Sequence, residues 1–172
     1  MTKSMTNTNR LVLSALFVAL GVIIPQIFHM FGLGSVFLPM HIPVILCGFI
    51  CGPYYGLISG VLTVFLSSTI TGMPPMMPVG AAMIFELAAY AFVAGLMYRK
   101  TKKIYFSLIV AMIVGRVVSI AAKYIIYSLI GNSFAMVAIL TDLFVTAWPG
   151  IAIQILAIPA ILALLRRYKL IA

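Results

Sequence analysis

The sequence predicts an all-α integral membrane protein, a compact bundle of six transmembrane helices with both termini in the cytoplasm. Three observations lead there. The 172 residues are 65% hydrophobic and 8% charged, with a mean hydropathy of +1.25, more apolar surface than a soluble domain of this size can hide from water. The apolar residues gather in runs close to the ~20 needed to span the hydrocarbon core. Nine of the eleven basic residues fall in three short polar segments: Lys3 and Arg10; Arg99, Lys100, Lys102 and Lys103; Arg166, Arg167 and Lys169. Cytoplasmic loops carry such clusters under the positive-inside rule. The length allows one domain, 1–172 with a short cytoplasmic tail over 1–10, and leaves no room for a separate soluble catalytic unit.

Leu11–Phe28 is the first span; basic residues precede it, but no small-x-small cleavage site follows, so it reads as a retained helix. Met30–Met40 is Gly-rich and irregular, and His41–Cys51 is a short second span. Gly52 and Pro53 turn the chain into a third, Tyr54–Ile70. Thr71–Pro78 breaks any helix, because its three prolines remove amide donors and restrict the residues before them. Val79–Tyr98, Ile104–Ile130 and Leu143–Leu165 complete the set. The short second span is required by charge. Without it the basic clusters would lie on opposite sides of the membrane. The outer loops then include Gly72, Met73, Pro74 and Pro75, either a lid over a small molecule or plain connectors.

Glu86, Arg116 and Lys123 stand inside long apolar runs. A charge at membrane depth costs at least ~2.5–3.5 kcal/mol, so such residues face a bundle interior and a ligand or ion path. Glu86 and Arg116 lie at similar depth and are expected to pair. Lys123 is seven residues beyond Arg116, on the same face and about 10 Å outward, a surplus cation unless Asp142 reaches it. Two cations against one acid favour a monoanionic ligand. Asn132, Gln154, Trp148 and His41 are candidate hydrogen-bonding contacts, although Trp148-Pro149-Gly150 would equally serve as a kink. His29 and His41 flank the first outer loop, but no third ligand accompanies them, so no metal is expected. Cys47 and Cys51 read as small packed residues, since a disulfide four residues apart on one helix is geometrically poor.

Small residues recur as Gly48, Gly52, Gly56 and Gly60, a spacing that lets helix backbones approach closely in lipid. Ala15 and Ala19 form a similar pair in the first span. Other classes are disfavoured. The formal charge of +9 is confined to loops and supplies no nucleic-acid-reading face. No phosphate-binding G-x-x-x-x-G-K-[ST] loop and no hydrolytic constellation is present, so neither ATP hydrolysis nor intramembrane catalysis by this chain is expected, and no cofactor.

The six helices, the Ala15-x-x-x-Ala19 pair, FLPMHIPVILCGFICGPYYG (Phe37–Gly56), TGMPPMMP (Thr71–Pro78) and FELAAY (Phe85–Tyr90) resemble the substrate-binding S component of an energy-coupling factor (ECF) vitamin transporter, most of all the pantothenate-specific members. The resemblance covers nearly the whole chain. It implies that the chain captures a vitamin from outside and docks through Ala15 and Ala19 onto a transmembrane T component carrying two cytoplasmic ATPases. Rotation in the membrane then releases the vitamin inside. It also implies the cell membrane of a Gram-positive bacterium. Relatives of the same fold bind other vitamins, so a pyridoxine or thiamine-precursor type is the alternative. A solitary ion-coupled carrier is less consistent, because no internal repeat is evident.

Overall fold

The computed structural model describes residues 5–131, 141 and 146–168. Among them the chain is helical, without strands. Helix α1, Asn7–Met30, begins where the Thr6 hydroxyl accepts from the Asn9 amide at 3.3 Å, a side-chain cap that adds a polar turn to the apolar run. It ends at Gly32 (φ 69°), where the Leu33 amide donates back to the Phe28 carbonyl at 2.9 Å. The segment expected to be irregular contains one helical turn, α2 (Gly34–Phe37), closed by Leu38 in the left-handed region. Helix α3 is His41–Cys51, and nine of its eleven residues are buried. It therefore runs through the bundle's interior, where neighbouring helices replace lipid.

Gly52 adopts φ 107°, a conformation open to glycine at little cost. Pro53 follows at the first position of α4, Pro53–Thr71, where its missing amide costs nothing. The proline-rich segment leaves α4 through Gly72 and passes through a kinked stretch, Met76–Gly80, in which Met77 is extended (φ -119°, ψ 136°), into α5, Ala81–Thr101. Helix α6 is Ile104–Leu129, and α7 is Trp148–Arg167 with Pro149 in its first turn. Among the described residues five segments are long and apolar enough to cross a membrane, and α3 is the shorter sixth. The sixth span's expected start at Leu143 lies outside the described residues.

Helix α5 is central, packing on α3, α4 and α6, while α1 covers α3 and α4. Glycines explain the close approach. A methyl group on Gly48 would collide with the Ala91 carbonyl, one on Gly56 would lie 2.7 Å from Gly48 Cα, and one on Gly60 would lie 2.7 Å from the Ala88 amide nitrogen. The expected small-residue packing is thus a seam joining α3, α4 and α5, and Gly95 extends it against Pro53. Cys47 and Cys51 are free and buried in it. Large apolar side chains such as Leu16, Ile23, Phe65, Ile113 and Leu156 are exposed on the outside, as a lipid-facing surface requires.

Candidate functional site

A cavity of about 310 Å³ lies among the C-terminal end of α1, the N-terminal end of α3, the 74–79 segment, α5 and α6. Its polar lining includes His41, Glu86, Arg116 and Lys123, and its apolar walls include Pro25, Leu38, Met40, Pro74 and Met83. That volume is at the lower end of the range for small-molecule sites. Because the cavity meets the N-terminus of α3, the positive end of that helix dipole points toward it.

Glu86 organises the charged group. It is 3% exposed; one carboxylate oxygen, Oε2, accepts from the Ser119 hydroxyl at 2.8 Å, and Oε1 lies 3.6 Å from both Arg116 Nη1 and His41 Nε2. The expected Glu86–Arg116 pairing is present as an ion pair. At that length it is a Coulombic contact rather than a good hydrogen bond. Helical spacing builds the arrangement: Arg116, Ser119 and Lys123 are three, then four, residues apart on α6, so they share one face. On α5, Tyr90 is one turn beyond Glu86 and meets the His41 ring edge-on, centroids 5.4 Å apart. A methyl group on Gly115 would lie 2.8 Å from the Tyr90 ring. That glycine brings α6 close enough for Ser119 to reach Glu86.

Several buried polar atoms have no hydrogen-bond partner among the described residues. They include Arg116 Nε and Nη2, His41 Nδ1 and the Tyr90 hydroxyl. For Arg116 these two nitrogens form one edge of the guanidinium, while Nη1 faces Glu86. Such an edge matches a carboxylate with two parallel N–H···O bonds.

Of the expected contacts, the structure brings Glu86, Arg116, Lys123 and His41 together. Trp148 is 64% exposed, and it does not line the cavity. It sits at the first position of α7 with its side chain exposed. Gln154 is fully buried with both amide atoms unpartnered among the described residues, yet it too lies off the cavity. Asn132 and Asp142 lie outside the described residues. In the expected lid only Pro74 is buried and lines the cavity, whereas Gly72, Met73 and Pro75 are exposed. Hydroxyls of Ser67 and Ser68 donate to the Met73 and Pro74 carbonyls and tie this segment to α4. Sequence reasoning missed Ser119 and assigned His29 no role, although His29 also lines the cavity. The signal for Ser119 was its place one turn beyond Arg116.

On the bundle's exterior, Ala15 and Ala19 are exposed within an apolar groove of about 600 Å³ between α1 and α4. Comparison with known proteins now decides the family: the model of the ECF transporter substrate-specific component matches residues 9–165. The chain belongs to that family. No curated protein and no solved structure matches it. This S component is the substrate-binding subunit of an ECF transporter, a multi-pass membrane protein with a small-molecule substrate. Hydrolysis of ATP belongs to its partners, which are a T component and ATPase subunits.

Proposed function

We propose that this S component captures pantothenate in the cavity around Glu86 and hands it on by docking the Ala15/Ala19 groove against the T component. The observation that carries the vitamin assignment is the Arg116 edge, two buried N–H donors without a partner among the described residues. Leaving such donors unmet is costly, and a ligand carboxylate offsets that cost. The dipole of α3 and the nearby Lys123 ammonium favour the same sign of charge. Pantothenate has one carboxylate for Arg116, and its hydroxyl and amide groups suit His41 and His29, which line the cavity. The apolar walls at Pro25, Leu38 and Met83 fit its dimethyl carbon.

The discriminating measurement is binding of pantothenate and of its neutral alcohol analogue to wild type and Arg116→Met in detergent. A desolvated charge contact of this kind contributes ~2–5 kcal/mol. Arg116→Met should therefore lose roughly 30-fold to several-thousand-fold in affinity for the anion, with a much smaller effect on the alcohol. Equal binding of the anion by both proteins would remove Arg116 from the site. Mass spectrometry of the small molecule retained by the purified chain identifies the vitamin directly, and a neutral vitamin there would overturn the pantothenate assignment.

A further inference from the structure

At the opposite end of the bundle from Glu86, a second cavity of about 250 Å³ lies between the N-terminal end of α1, the α3–α4 turn, the last turn of α5 and α7. Three cations line it, Arg10, Arg99 and Lys102, over an apolar floor that includes Phe49, Ile50 and Leu162. A fourth adjoins it. The Arg166 guanidinium lies 5.4 Å from the Tyr98 ring centroid, and the Lys102 ammonium lies 5.8 Å from the same ring. The Arg99 guanidinium rests against Gly52, where any side chain would collide with it. Arg10 Nε is buried without a hydrogen-bond partner among the described residues. Among the described residues no carboxylate balances these charges: Glu86, the one acidic side chain there, is engaged by Ser119 and Arg116 at the other end.

We propose that this cavity binds the phosphate-bearing headgroup of an anionic phospholipid. Gathered like charges repel, and guanidinium groups match phosphate oxygens in pairs. The basic clusters assign this end of the bundle to the cytoplasmic leaflet, whose anionic lipids are attracted by basic pockets between helices. Phosphate at the cationic rim and glycerol carbons over Phe49, Ile50 and Leu162 give an amphiphile both kinds of contact. A soluble phosphate gains only the first.

The test uses the full chain in a neutral detergent, with phosphatidylglycerol, phosphatidylcholine or glycerol phosphate added. Native mass spectrometry reads retained lipid, and thermal unfolding reads stabilisation. Phosphatidylglycerol should be retained and should stabilise more than phosphatidylcholine, with a gain that shrinks as salt rises. Arg10→Gln/Arg99→Gln/Lys102→Gln should weaken phosphatidylglycerol binding on the order of a hundredfold. Lys100→Gln/Lys103→Gln/Arg167→Gln, an equal loss of charge outside the cavity, should keep it. Equal losses in both triple variants would make the effect one of general surface charge and overturn the proposal. So would binding of glycerol phosphate as tight as that of the lipid, which marks a free-phosphate site. Absence of any preference for phosphatidylglycerol also overturns it; in that case, weaker assembly of the first triple variant with the T component and ATPases assigns the cavity to an acidic partner segment. If that variant does not fold, the salt dependence in wild type decides, and a salt-independent gain refutes the site.

Discussion

Replacing Glu86 by Gln removes a single charge while keeping the side chain's size, and its amide oxygen still accepts from the Ser119 hydroxyl. What changes is the partner of Arg116. At 3.6 Å and an effective dielectric constant of ~20, two unit charges attract by about 5 kcal/mol. Part of that attraction offsets the cost of taking both out of water, but removing one partner leaves the other charge buried alone. Such removals cost about 3–5 kcal/mol, and Arg116 is only 6% exposed. Glu86→Gln should therefore lower the unfolding free energy of the ligand-free chain by about that amount. Arg116→Met should cost less, because the carboxylate keeps Ser119 and His41 as neighbours. The double variant should cost at least ~1 kcal/mol less than the sum of the two, since coupled pairs deviate from additivity by ~0.5–3 kcal/mol. Titration from neutral detergent into dodecyl sulfate, followed by circular dichroism, measures all three. A Glu86→Gln loss below ~0.5 kcal/mol, or strictly additive variants, would show that this pair does not hold the two helices.

Three further outcomes follow from the same structure. Ala19→Trp should leave substrate binding by the isolated chain intact and abolish most ATP-dependent uptake by the assembled transporter, because the added ring fills the groove between α1 and α4; wild-type uptake would remove Ala19 from the docking face. In a background without Cys47 and Cys51, Met76→Cys should react with an impermeant thiol reagent in intact cells and Lys102→Cys should not, and labelling at 102 would reverse the assigned orientation. Gly48→Ala should destabilise by about 1–3 kcal/mol, since its methyl group meets the Ala91 carbonyl; an unfolding curve unchanged from wild type would contradict the seam.

The spans were legible because hydrophobic length and loop charge report directly on the solvent each segment meets. Even the short α3 followed from charge bookkeeping. Its burial did not, since a run as apolar as His41–Cys51 suits lipid and a helix interior equally. The glycine spacing on α3 and α4 was readable in sequence, but the receiving surface at Ala88, Ala91 and Gly95 depends on how α5 is rotated. Glu86 and Arg116 stood out as charges at matching depth. The one cue to Ser119, its place a turn beyond Arg116, was weaker, because a hydroxyl in an apolar helix can satisfy itself on the preceding turn. That Trp148 and Gln154 lie off this cavity was not legible for one reason: both are polar-tipped residues on the last span, and sequence gives no rotation for a helix that begins with proline and glycine. The one-turn helix at Gly34–Phe37 was missed because glycine and isolated apolar residues set no period over four positions.

At 1.5 Å per residue, the eleven residues of α3 reach about 16 Å, roughly half the ~30 Å of hydrocarbon that its neighbours cross. A helix that stops midway leaves the rest of its column to something else. Here that remainder holds the α2 turn, the irregular backbone from Leu38 to Met40, and empty space. Non-helical backbone is tolerated at such depth only where protein shields it or it borders a polar void, so the vacancy and the loop that roofs it require each other. The binding chamber is then a matter of helix length before it is one of side-chain choice. Extending α3 by one turn at its outer end would abolish the room for a ligand while leaving Glu86, Arg116 and Lys123 untouched in the sequence.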